Sequence, residues 1–242
     1  MDKFFKVKTT EEVLGIINGF NPVGSETISV EKAVGRILSA DIVSPEDLPP
    51  FARSSMDGYA VRAKDTFGAT ESLPAFLEVV GEVLMGEKPT VRVEQGQAAK
   101  IPTGGMLPEG ADSVVMIEYC HILDENTIEV AKSVSPLENV ISPGDDIQAG
   151  DILLRKGHRL RAQDLGVCAA LGISQLKVSK KPRIAIISTG DEVVEIETVP
   201  APGQVRDVNR YSLMAFCMEL GAVPIPLGLC KDEFSQLRNM IS

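Results

Sequence analysis

Five separated stretches pair turn-forming residues with acids or small hydroxyls: M-D-G-Y-A around Asp57, I-P-T-G-G ending at Gly105, P-G-D-D-I around Asp146, S-T-G-D-E from Ser188 to Glu192, and L-C-K-D-E around Asp232. Asp57-Gly58 reads as a tight turn opening the strand Tyr59-Val61, since glycine accepts positive φ and aspartate can bond its own backbone. The same turn could present the Asp57 carboxylate into a cleft, and the two readings are compatible. Thr103-Gly104-Gly105 is either a plain loop or a nest whose backbone N–H groups, helped by the Thr103 hydroxyl, converge on an oxyanion. Asp145-Asp146 is either a solvated turn or a source of oxygen ligands for Mg²⁺, which takes carboxylates together with water and phosphate. Ser188, Thr189, Gly190, Asp191 and Glu192 follow the apolar run R-I-A-I-I. They fall at the carboxyl end of an α/β strand, where such sheets bind ligands. Asp232 reads as a helix N-cap or as a further acid of a site. Arg206, Asp207, Asn209 and Arg210 crowd a loop entering a helix, for capping or for anion contact.

The elements around these stretches change character along the chain. Thr9-x-x-Glu12 is a capping box, and Val13, Leu14, Ile16, Ile17 and Phe20 form a helical apolar face ending near Gly19. T-I-S-V, a turn E-K-A-V-G and R-I-L-S-A-D-I-V then lead to a proline linker, Ser44 to Phe51. From Phe76 to about Val134 the segments F-L-E-V-V-G-E-V, V-R-V-E, A-D-S-V-V-M-I-E and T-I-E-V-A-K-S-V alternate between glycines and prolines, as in a small β-barrel or sandwich. Ile152-Leu154 is a short strand, Gly157 turns the chain back, and Gln163 to Leu171 is a helix closed by Gly172.

After Pro182 the pattern is α/β: R-I-A-I-I-S as a buried parallel strand, a helix capped by Asn209, the strand V-P-I-P-L-G-L, and a helix capped by Asp232. The two prolines of the second strand favour an edge or irregular pairing. Met214, Cys217 and Leu220 are expected in the core. The resulting expectation is a multidomain α+β and α/β chain: an elongated discontinuous domain (1–51 and 139–180), an inserted β domain (52–138), and the first βαβα part of an α/β domain (181–242). Two strands and two helices cannot cover both faces of a parallel sheet, so the last part is expected to be the beginning of a larger domain.

Bulk composition narrows the chemistry. The 242 residues carry a formal net charge of −10, which argues against generalised binding to nucleic acid or to an anionic membrane. No apolar run reaches the roughly 20 residues of a membrane span, and the first residues read unlike a secretory signal, so neither a span nor a leader is expected. Cys120, Cys168, Cys217 and Cys230 form no C-x-x-C pair, so reduced thiols in a cytoplasmic protein are expected. His121 and His158 show no metal-ligand spacing and no nucleophile–base pairing, and are expected at the surface.

Together and in this order the strings S-S-M-D-G-Y-A-V, I-P-T-G-G-M-L-P-E-G-A-D-S-V-V-M-I-E, G-D-D-I-Q-A-G-D, S-T-G-D-E-V and G-Q-V-R-D-V-N-R resemble the molybdopterin molybdenumtransferases (MoeA), a family similar to the E domain of gephyrin. The resemblance implies a molybdopterin-binding α/β domain after the inserted β domain, and then a C-terminal β-barrel. It stops before that barrel and before the glycine-rich G-G-x-S-x-G segment of the α/β domain. It implies insertion of molybdate into adenylylated molybdopterin with release of AMP, dependent on Mg²⁺. Asp57, Asp146, Glu192 and Asp232 would match the family's important acids, with Asp146 and Glu192 toward Mg²⁺ or water and Asp57 in the cleft wall. Thr103 would meet phosphate or molybdate. Gly104, Gly105, the Ser188–Asp191 run and Asn209 would complete the substrate contacts. A homodimer with a shared cleft is also implied. The alternative from another class is a non-catalytic molybdopterin-binding or scaffold module of the gephyrin type.

Overall fold

A computed structural model describes residues 7–242. The chain divides into two compact units: Ile42–Leu154, and a discontinuous one made of Met1–Asp41 with Arg155–Ser242. The sequence outline put its boundaries at 51/52 and 138/139. The division instead takes the paired legs on either side of the β insert into the insert's own unit.

In chain order, α1 (Thr10–Asn18) starts where the capping box requires. The Glu12 N–H donates to the Thr9 hydroxyl, and the Thr9 N–H donates to the Glu12 carboxylate at 2.8 Å. None of its residues is buried. Strand β1 (Ser25–Ser29) follows.

The Ile42–Leu154 unit begins with β2 (Ile42–Val43), β3 (Arg53–Ser54), β4 (Gly58–Val61) and β5 (Ala75–Glu82). It continues with β6 (Gln97–Ile101), β7 (Ser113–Met116), β8 (Cys120–Ile122), β9 (Thr127–Val130), β10 (Val140–Ile141) and β11 (Ile152–Leu154). Six of these form one mixed sheet in the order β7-β4-β6-β5-β9-β8, with β5 and β6 parallel. This single sheet corrects the expected barrel or sandwich. The V-R-V-E segment is also corrected: apart from one bridge, Arg92 to Glu109, it carries no strand, and the ladder is taken up by Gln97–Ile101.

Strand β4 lies between β6 and β7 and is buried along its whole length. Its alternation feeds two clusters. Tyr59 and Val61 pack with Leu77, Ala98, Val115 and Ile128, while Ala60 packs with Val83, Ile101 and Val114. Burying both faces of a central strand is the larger part of what fixes its register, because a one-residue slip would exchange the two sets. Gly58 sits where a Cβ would lie 1.9 Å from the Val115 carbonyl oxygen. Only glycine fits there, and this holds the Asp57 turn close against β7.

The return leg comprises α2 (Ala162–Ala170) and β12 (Gln175–Ser179), which pairs antiparallel with β1. Then come β13 (Arg183–Thr189), β14 (Val193–Val194), β15 (Val205–Arg206), α3 (Asn209–Glu219), β16 (Val223–Cys230) and α4 (Phe234–Ile241). β13 and β16 are parallel, with an irregularity between Ile186 and Ile187 opposite the Pro226–Gly228 stretch. Ile186 is buried, but Ile184 on the same strand is exposed, so β13 is less covered here than its apolar composition suggested. Leu220 is exposed rather than in the core, and Arg210 is the buried residue of α3.

Candidate functional site

The Asp57 turn is built by β4 on one side and by the Thr103 loop on the other. The Thr103 N–H and the Thr103 hydroxyl both donate to Asp57 Oδ1, at 2.7 and 2.8 Å. The Asp57 backbone carbonyl accepts the Ile117 N–H at 3.0 Å, closing the turn against the end of β7. The Thr103 backbone bond first, and its side-chain bond second, hold the exposed Asp57 carboxyl below its usual value. The result is a fixed, ionised carboxylate with Oδ2 left over.

The loop differs from a ready anion nest. The Thr103 amide is spent on Asp57, the Gly104 N–H donates to the Ser54 carbonyl at 2.8 Å, and the Gly105 N–H donates to the Pro102 carbonyl at 2.9 Å. Positive φ at Gly104 (83°) and the burial of Gly105 serve this closure. The expectation of converging free amides is therefore corrected. The chain already contains an anion at that place, the Asp57 carboxylate, and the loop folds around it.

Asp145 and Asp146 lie on the Pro143–Gly144 turn of the same unit, both exposed. Asp145 accepts the Ser142 N–H at 2.6 Å, so it shapes the turn. The Asp146 amide donates to the Leu48 carbonyl at 3.0 Å, which ties the turn to the proline segment without engaging the Asp146 side chain.

The discontinuous unit contains a cleft of about 510 Å³ at the carboxyl end of β13, lined by Ser188, Thr189, Glu192, Asp207, Asn209 and Leu213, among others. Four of these six were candidates from the sequence. Gly190 has φ of 138°, and a Cβ there would lie 2.8 Å from a Glu192 carboxylate oxygen, so glycine is needed for the bend that presents Glu192. Asp191 and Asp232 meet loosely, through the Asp232 N–H and Asp191 Oδ1 at 3.4 Å. The two expected caps move. Asn209 is the first residue of α3 rather than its cap, and the Arg210 N–H donates instead to Asp207 Oδ1 at 3.1 Å. The cap position of α4 is Glu233, one residue past Asp232.

Asp207 was visible in the sequence only as one of several polar residues before a helix. It is buried, lines the cleft, and has Oδ2 at 3.1 Å from Arg210 Nε. The buried Arg210 guanidinium also pairs with Glu195. The approach of Arg210 to Asp207 Oδ2 is an ion pair rather than a hydrogen bond, since that oxygen is buried without a hydrogen-bond partner among the described residues. A carboxylate taken out of water is tolerable when a guanidinium is its direct neighbour. Its signal in the sequence was the D-x-x-R spacing, which places both groups on one helical turn.

His158 is half-buried rather than on the surface: its Nε2 lies 2.6 Å from Asp164 Oδ2. Asp164 is also held by the Arg161 side chain and amide, because the turn at Gly157 leads directly into α2. Burial pushes the Cys120 thiol up to about 12, with Glu118 adding to the rise, so it is no nucleophile at neutral pH. All four cysteines are free. Among the described residues no three His, Cys, Asp or Glu side chains gather to hold a metal, and no helix is long and apolar enough to cross a membrane.

Comparison with known proteins places these features. The family model described as the MoeA N-terminal region (domain I and II) matches residues 8–172. The chain belongs to the MoeA family. A molybdopterin molybdenumtransferase of Staphylococcus epidermidis is 33% identical over 241 residues, covering 100% of this chain and 57% of that protein. One from Nostoc sp. is 38% identical over 218 residues, covering 90% and 50%. Two crystal structures of a molybdopterin biosynthesis MoeA protein from Pyrococcus horikoshii match with a TM-score of 0.89 each, at 40% and 35% identity. They are covered over 60% and 62% of their length by 98% and 96% of this chain. The chain thus spans about half to three-fifths of the relatives it matches, and the MoeA likeness extends over its multidomain α+β architecture.

Proposed function

We propose that this MoeA chain takes part in molybdenum cofactor synthesis, as a portion of an enzyme that inserts molybdate into adenylylated molybdopterin and releases AMP. The observation that carries this reading is the similarity along the whole chain to proteins named molybdopterin molybdenumtransferase. The cleft of Ser188, Thr189, Glu192 and Asn209 at the end of β13 supports it, since hydroxyls, an amide and a carboxylate suit a polar phosphorylated heterocycle.

In this reading Mg²⁺, when bound, neutralises the charge of the phosphoanhydride. Asp146 and Glu192 are the candidates to hold it. Both are exposed carboxylates, and Mg²⁺ binds through one or two carboxylates together with phosphate oxygens and water. Glu192, raised by the Gly190 bend, would position water toward the adenylate. Asp57, ionised and fixed by Thr103, would form a cleft wall that orients cationic or N–H-bearing parts of the ligand. Thr103 acts on the substrate through Asp57, because its donors are already engaged. A homodimer working in the cytoplasm is part of the same reading.

The test is AMP release from adenylylated molybdopterin by the whole protein that contains this chain. Release that requires both molybdate and Mg²⁺ supports the reading. Binding of the ligand without molybdate-dependent release would replace it with a non-catalytic binding module.

A further inference from the structure

A second cleft, of about 230 Å³, lies in the discontinuous unit. Its lining includes Arg36, Arg159, Lys180 and Lys181, together with Met218 and Leu220 from the end of α3. Four cationic side chains around one small concavity are unusual in a chain of net charge −10. Among the described residues, Arg159, Lys180 and Lys181 have no carboxylate oxygen within 4.0 Å. Arg36 has Glu26 as a counter-charge, but among the described residues the other three have none. Like charges so gathered repel one another, and an anion relieves that repulsion.

Arg36 is the organised member. Its side chain is 13% exposed, and Nη2 donates both to Glu26 and to the Ser179 carbonyl at 2.7 Å. No hydrogen bond from Arg36 Nε or Nη1 is found among the described residues, and Arg36 lines the cleft. Guanidinium N–H pairs match the oxygens of a phosphoryl group. The β1–β12 ladder holds the two legs carrying Arg36 and Lys180 in register, with Ser25 opposite Ser179. The Arg159 guanidinium reaches across to the Glu219 carbonyl at 3.5 Å, which brings α3 to the same place.

We propose that this cleft is a phosphoryl-anion site, separate from the cleft at the end of β13 and independent of the molybdenum reading. It would take inorganic phosphate or a small phosphate monoester, with Arg36 as the fixed anchor and Arg159 and Lys181 as closing cations. Met218 and Leu220 give an apolar wall that a monoester could use and free phosphate could not.

The experiment titrates the 242-residue chain with inorganic phosphate and, separately, with phenyl phosphate at constant ionic strength, followed by backbone amide NMR. Saturable shifts confined to residues around Arg36, Arg159 and Lys181 are expected. Arg159→Gln with Lys181→Gln, both exposed positions, should weaken binding by at least about tenfold, the scale of losing one charge-assisted contact. Arg36→Gln should do the same, and the double variant guards against a folding defect in it. Tighter binding of phenyl phosphate supports the site and assigns it to esters; equal or weaker binding supports it and assigns it to free phosphate. Absence of saturable shifts with either probe, or undiminished affinity in the Arg159→Gln/Lys181→Gln protein, would overturn the proposal.

Discussion

Thr103 donates twice to one oxygen of Asp57, through its amide at 2.7 Å and its hydroxyl at 2.8 Å. The loop carrying Thr103 is therefore the mount of the Asp57 carboxylate, and both bonds favour its ionised form. Thr103→Ala removes the smaller of the two contributions and should raise the Asp57 pKa part of the way to the ordinary carboxylate value. A ¹³C carboxyl NMR titration reads this directly. The sign is fixed: whatever stability Asp57 lends is present above the unfolded carboxylate's pKa and is lost as pH falls through the folded one.

Gly58 and Gly15 make a matched pair. A Cβ on Gly58 would lie 1.9 Å from the Val115 carbonyl oxygen, whereas one on Gly15 meets nothing within 4 Å. Gly58→Ala must push β7 away from β4 and should destabilise by about 3 kcal/mol. Gly15→Ala, inside α1, should stabilise by up to about 1 kcal/mol. Urea denaturation midpoints of the two variants should move in opposite directions.

The Asp164 carboxyl is held far below the usual carboxylate range, first by the Arg161 side chain, with His158 and the Arg161 amide adding to the effect against its burial. A depressed carboxylate contributes stability that is complete above its unfolded value of about 4 and fades as pH falls below it. Asp164→Asn should cost about 2 kcal/mol at neutral pH and flatten the acid side of the stability profile. Measuring urea midpoints from pH 7 downward in both proteins checks the sign.

Arg210 compensates the buried Asp207 carboxylate and also pairs with Glu195. Arg210→Ala leaves Asp207 as an unpaired buried charge, which should cost about 3 kcal/mol. Arg210→Ala combined with Asp207→Asn should recover part of that loss. If the double variant is no more stable than the single one, the pair is not what holds the cleft wall.

The legible parts of the molecule were those where local chemistry acts alone. Thr9 and Glu12 announce α1 because that signal is complete within four residues. Asp57-Gly58 marked the bend into β4 for a different reason than expected, since Gly58 has no positive φ and answers to the Val115 carbonyl, while Asp57 bonds Thr103 rather than its own backbone. Strand β6 gave no such signal. Its Ala98 and Ala99 have low strand propensity, yet both are fully buried, held there by pairing with β4 and β5. The Thr103 loop looked like an anion nest for the same reason: nothing local says that Asp57, 46 residues away, fills the place of the anion. Asp207 likewise read as an ordinary polar residue near a helix, since its burial depends on Arg210 and on the cleft around it. Asp57, Asp146, Glu192 and Asp232 were grouped only through the family likeness; the first two belong to one compact unit and the last two to the other.

The most direct test of the account is AMP release by the whole protein carrying Asp57→Ala, Asp146→Ala or Glu192→Ala, each with its urea midpoint measured alongside. If Asp57, Asp146 and Glu192 each serve the release reaction, each variant should lose at least about tenfold in release, the lower end for a group acting on transition-state charge, while its midpoint stays within about 0.5 kcal/mol of the parent, as expected for exposed positions. Wild-type release in all three would contradict it.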